Sequence, residues 1–61
     1  MSELLNVREG AKELRLSIHT IRAWIYAKRI PHVRLGRRVL LRREDLESFV
    51  NKNVVEAREK A

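Results

Sequence analysis

A mainly α fold with one small β-hairpin is predicted for this 61-residue chain by three observations. Two apolar stripes at helical spacing, over residues 7–14 and 18–27, lie about three residues apart. An alternating segment after Pro31 turns back on itself at Gly36. A third helical stripe then opens behind Glu44, Asp45 and Glu47.

Each element has a local cause. Asn6 followed by Glu9 has capping-box spacing, in which the Asn side chain accepts from the third helical N–H and the Glu reaches back to the cap. A first helix should therefore start at Val7, carry Val7, Ala11 and Leu14 on one face, and end near Leu14 to Arg15, with Leu5 stapled onto its first turn. Ser17 is the next cap, and Ile18, Ile21, Trp24 and Ile25 behind it form one apolar face of a second helix running to about Ala27. The opposite face presents His19, Arg22, Ala23 and Tyr26 at i, i+3, i+4 and i+7. Two short helices so spaced make a helix-turn-helix.

Pro31 stops the second helix. Val33 and Leu35 alternate with His32 and Arg34, Gly36 with Arg37 makes a tight turn, and Arg38 to Arg42 returns as a second strand. Val33, Leu35, Val39 and Leu41 are expected to cover the helices, with Arg34, Arg37, Arg38 and Arg42 outward and Leu40 opposite Val39 and Leu41. A hairpin alone is marginal, so this one must pack on the helices. Leu46, Phe49 and Val50 are the core stripe of a C-terminal helix over about 43–58, with Val54 and Val55 as core extension, partner surface or part of a fraying tail.

The charge is placed unevenly. Residues 14–43 contain no carboxylate, yet hold nine of the fourteen lysines and arginines and both histidines. That stretch carries +9, against −1 before it and −2 after it. Such a field attracts a polyanion and supplies the salt-dependent part of its affinity for nucleic acid.

Size and composition exclude other classes. A chain this short buries only about 60% of its unfolded surface, leaving little room for an enclosed active site. With no Cys there is neither a disulfide framework nor a thiolate metal site, and the two histidines fall on different elements with no nucleophile beside them, so no enzyme is expected. No apolar run approaches the roughly 20 residues that span a bilayer, and the N-terminus lacks signal-peptide regions. The expectation is one mature intracellular domain over residues 1–61, core 5–50, cytoplasmic and nucleoid-associated, with no cofactor, metal, membrane or small-molecule substrate.

The strings LLNVREGAKELRLSIHTIRAWI and RIPHVRLGRRVLLRREDLESFV carry a resemblance. A capped helix, Ser-x-x-Thr-Ile-Arg, Ile-Pro, an Arg-rich Gly turn and Arg-x-Asp-Leu-x-x-Phe follow in that order. From Leu5 to Val50 the chain resembles the excisionase-type winged helix-turn-helix DNA-binding domain. Thr20-Ile21-Arg22-x-Trp24 also looks like the start of MerR-type regulators, a related winged fold. Two positions depart from the family pattern: Arg15 and Lys28 stand where relatives commonly have Gly, the residue suited to left-handed turns that cost others roughly 1 kcal/mol or more. The resemblance implies a helix, helix, two-stranded wing and C-terminal helix, in an architectural protein that helps a tyrosine-type integrase excise an element. A small transcription regulator of the MerR-like type is the alternative, and an RNA-binding or protein-interaction module a more distant one.

In a helix-turn-helix the second helix enters the major groove and the first crosses the backbone. His19, Arg22, Ala23 and Tyr26 are thus assigned to the groove, Arg22 to O6 and N7 of guanine and Ala23 to close approach or a thymine methyl. Ser17 and Thr20 become phosphate ligands at the helix start. Arg37 and Arg38 are aimed at an adjacent minor groove, with Lys28, Arg29, Arg34 and Arg42 on phosphates. The expected partners are double-stranded DNA and, beside it, an integrase or a second copy of the chain. The assignments have rivals: Trp24 in the core, His19 as a solvated helix residue, His32 as a strand surface residue, and Arg42 and Arg43 in ion pairs with Glu44, Asp45 or Glu47.

Overall fold

The computed structural model describes residues 3–58. Its order is β1 (Leu4–Asn6), α1 (Val7–Leu14), α2 (Ile18–Tyr26), β2 (Val33–Leu35), β3 (Arg38–Arg42) and α3 (Arg43–Lys52). Three helices and a small antiparallel sheet of order β1-β3-β2 make a winged helix-turn-helix.

Both expected caps form. Glu9 N–H donates to Asn6 Oδ1 at 2.7 Å and Asn6 N–H to Glu9 Oε1 at 2.9 Å, which starts α1 at Val7. Thr20 N–H donates to Ser17 Oγ at 3.1 Å, which starts α2 at Ile18. Both helices end in the same way. Arg15, at φ 58°, closes α1 with Leu16 N–H donating to Ala11 O (2.9 Å) and Arg15 N–H to Lys12 O (3.2 Å). Beyond α2, Lys28 takes φ 59° while Arg29 N–H donates to Trp24 O (2.8 Å) and Lys28 N–H to Ile25 O (3.0 Å). These are Schellman closures, which normally place Gly at the left-handed residue. The two departures from the family pattern therefore keep the Gly conformation and put a cation in it.

The core is Leu5, Ala11, Ile21, Ile25, Ile30, Leu41 and Leu46, with Val7, Leu14, Ile18, Trp24, Val39 and Phe49 packed around it. The predicted apolar faces of α1 and α2 thus turn inward, and Trp24 stacks obliquely on Phe49 with centroids 5.6 Å apart. Gly10 lets α1 approach β3 closely, since a Cβ there would overlap Leu41 Cδ1. Ile30, just before Pro31, was not foreseen as core.

Three expectations are corrected. Leu5, expected only as a staple on the first turn of α1, is the centre of an additional strand β1, paired with Leu41 in a register running from Leu4↔Arg42 to Asn6↔Leu40. The sheet therefore has three strands. Second, Val33 and Leu35 do not share a face with Val39 and Leu41. The two-residue loop Gly36-Arg37 sets Leu35 opposite Arg38, hence Val33 opposite Leu40 and Arg34 opposite Val39. Directly opposed residues lie on one face, so the loop's even length puts β2 out of phase with the expected cover. Leu35 is accordingly 53% exposed, and Leu40, as expected, lies opposite to Val39 and Leu41. Gly36 at φ 59° takes the first loop position, where a left-handed turn favours Gly.

Third, α3 stops at Lys52 rather than near residue 58. Asn53 closes it, its N–H donating to Val50 O (3.0 Å) and its side-chain amide to Phe49 O (2.8 Å). Asn competes for backbone hydrogen bonds and ends helices readily. Val54 and Val55 lie beyond that stop and are exposed, so they are not a core extension.

Candidate nucleic-acid interface

Because Ile21 and Ile25 are buried, α2 turns the opposite side outward. His19, Arg22, Ala23 and Tyr26 are all exposed, Tyr26 at 91%, and Thr20 is half-buried beside them. The side is apolar at Ala23, cationic at Arg22 and amphipathic at Tyr26, a mixture suited to base edges. Ser17 Oγ accepts the cap bond and lies 3.0 Å from Thr20 Oγ1, so the two hydroxyls hold each other at the helix start.

The cations divide by what they face. Arg42 donates from Nε and Nη2 to Asp45 at 2.6 and 2.9 Å, with Glu44 at 3.4 Å. Arg43 bridges Glu3 and Glu13, each at 2.8 Å, tying the approach to β1 and the body of α1 to the start of α3. The hydrogen bond to Asp45, then its charge, holds the Arg42 guanidinium above the usual arginine range. Hydrogen bonds to Glu3 and Glu13 do the same for Arg43. Both are cations already matched by carboxylates. The other seven cations of the carboxylate-free stretch, Arg15, Arg22, Lys28, Arg29, Arg34, Arg37 and Arg38, have no carboxylate partner among the described residues.

Two open depressions flank α2. One, of about 360 Å³, is lined by Lys28 to His32. Arg29 lies over the Trp24 ring, 5.2 Å from its centroid, which holds the guanidinium at the edge of the domain. His32 Nδ1 is 2.9 Å from Ile30 O; a carbonyl only accepts, so Nδ1 carries the proton. The other depression, of about 320 Å³, is lined by Asn6, Val7, Arg8, Arg22, Arg37, Arg38 and Val39. It brings Arg22 of α2 together with Arg37 and Arg38 of the hairpin. It also brings in Arg8, which sequence reasoning missed. Arg8 lies outside the carboxylate-free stretch and next to Glu9, so a charge count along the chain hides it; its place one residue after the α1 start was the only available signal.

His19, Thr20, Arg22, Ala23 and Tyr26 therefore lie on one helix capped by Ser17, with Arg37 and Arg38 lining one depression with Arg22. Arg34 is exposed on β2, Lys28 and Arg29 are at the far end of α2, and Arg42 is held away in its own ion pairs. Among the described residues no cluster of His, Asp and Glu could hold a metal, and no helix is long and apolar enough to cross a membrane.

A capped helix pair whose second helix exposes a polar, cationic side, flanked by a basic wing, defines a DNA-binding helix-turn-helix protein. The model of the family described as "Helix-turn-helix domain" matches residues 4–54, and the chain belongs to that family. No curated protein and no solved structure matches it significantly.

Proposed function

We propose that this chain binds duplex DNA sequence-specifically as an excisionase-type architectural factor directing site-specific recombination. The observation that carries the reading is the convergence of Arg22 with Arg37 and Arg38 beside the exposed α2 side, in a depression whose lining contains no carboxylate. In this reading α2 lies in the major groove. Arg22 and Ala23 read base edges, with His19 and Tyr26 beside them, and Ser17 and Thr20 anchor the helix start to phosphate. The wing follows the same face into the neighbouring minor groove, where narrow A·T-rich tracts attract arginine. Lys28, Arg29 and Arg34 meet backbone phosphates. Arg42 is assigned instead to the junction between β3 and α3.

An architectural factor fills adjacent sites and bends the DNA, alongside an integrase or a second copy of itself. Footprinting with a bending assay on candidate sites tests this: several protected adjacent sites and a bend are expected, and one protected half-site without bending would point to a simple repressor or activator. An RNA module is disfavoured because Trp24 and Phe49 pack on each other, leaving Tyr26 as the one fully displayed aromatic among the described residues.

A further inference from the structure

We propose that the depression between α1, α2 and the wing is the seat of one DNA backbone phosphate, held by Arg8 of α1 and Arg38 of the wing, between Arg22 on the base edges and Arg37 at the minor groove. The inference rests on the DNA-binding reading above and adds to it a residue outside both the recognition helix and the wing. Three elements line it with arginines: Arg8 from α1, Arg22 from α2, and Arg37 and Arg38 from the wing. Val7 and Val39 make part of its lining apolar.

Among the described residues no carboxylate lines this depression. Glu9, the nearest in sequence, is turned back onto Asn6 N–H at 2.9 Å, and Ala11 and Lys12, the i+3 and i+4 neighbours of Arg8, are not acidic. Glu3 and Glu13 are taken by Arg43. Like charges around a partly apolar depression repel one another, and one tetrahedral anion between Arg8 and Arg38 relieves that repulsion. Guanidinium is the group suited to it, because its planar fork donates two parallel hydrogen bonds to phosphate oxygens. Since Arg22 and the wing arginines meet here, the phosphate would lock the recognition helix and the wing onto one strand in fixed register.

The test measures affinity for a random-sequence duplex across a range of salt for the wild type, Arg8→Ala, Arg38→Ala, the double variant, and Lys52→Ala, which removes an exposed cation from the far end of α3. Arg8→Ala and Arg38→Ala should each weaken binding about tenfold, the loss of one charge-assisted hydrogen-bonding group. The double variant should lose clearly less than the product of the two, because both arginines serve one phosphate. Arg8→Gln, which keeps length but not charge, should behave as Arg8→Ala, and Lys52→Ala should match the wild type. If Arg8→Ala binds like Lys52→Ala, or if the two losses simply multiply, the shared seat is wrong while the DNA-binding reading survives. If the wild type itself does not bind duplex DNA, both fall.

Discussion

The two cations held in left-handed backbone offer the sharpest separation of stability from binding. Arg15 and Lys28 sit at φ 58° and 59°, each closing a Schellman motif with both hydrogen bonds made. A side chain with a Cβ is disfavoured there by roughly 1–2 kcal/mol. Replacing it with Gly removes that penalty but returns about 0.4–1 kcal/mol to the unfolded chain as entropy. The net gain is roughly 0.5–1 kcal/mol per site, and the sites close different helices, so the double variant Arg15→Gly/Lys28→Gly should gain about 1–2 kcal/mol. In a domain of this size each 1 kcal/mol moves the melting temperature by about 4–8 °C. Thermal unfolding followed by circular dichroism reads the gain directly. The cost should appear in DNA binding: each of the two cations that contacts phosphate contributes about 0.9 to the slope of log K against log salt. A more stable double variant with a shallower slope is expected. Unchanged stability would refute the argument from left-handed strain, and a stabilised variant with the wild-type slope would remove Lys28 from the phosphate contacts.

Gly10→Ala should lower stability by about 1 kcal/mol in a denaturant titration. The roughly 1 kcal/mol of helix propensity it gains is outweighed by about 1–3 kcal/mol of overpacking against the fully buried Leu41, and a raised midpoint would contradict the α1–β3 contact. Ala23→Glu places an anion at the centre of the exposed α2 side; folding should change by no more than about 0.5 kcal/mol while duplex affinity collapses, and retained affinity would put the DNA elsewhere. Arg42→Ala should leave the salt slope of DNA binding unchanged, because Asp45 and Glu44 already meet that charge; a slope shallower by about one unit would return Arg42 to the phosphate contacts.

What could be read from the residues alone was whatever depends on neighbours three or four positions away. The Asn6 and Ser17 caps, both helix starts, the buried Ile21 and Ile25 and the displayed Arg22 and Tyr26 all follow from that spacing. The strand β1 did not, because Leu4, Leu5 and Asn6 are too few to show a period and their partners lie more than thirty residues along the chain. The face of Val33 and Leu35 was misassigned for a reason of parity: apolar alternation within each strand was clear, but the phase between strands is set by the length of the loop joining them. For the candidate site, a count of charges along the chain identified the basic stretch but could not tell a matched arginine from an unmatched one. The Arg42–Asp45 pair, three residues apart, was among the expected ion pairs, whereas folding supplied Glu3 with Glu13 to Arg43 in place of the acidic residues beside it and brought Arg8 into one depression with Arg22.

The central claim is that DNA meets the exposed side of α2 and the wing that flanks it. Titration of the isotope-labelled protein with duplex DNA, followed residue by residue in amide and arginine side-chain resonances, tests that claim most directly. The largest changes should fall on His19, Arg22, Ala23, Tyr26 and the Gly36 to Arg38 turn, with the Arg8 guanidinium moving with them and the resonances of Glu47, Val50 and Asn51 on α3 staying still. Changes centred on α3, or none at duplex concentrations that saturate other DNA-binding domains, would contradict it.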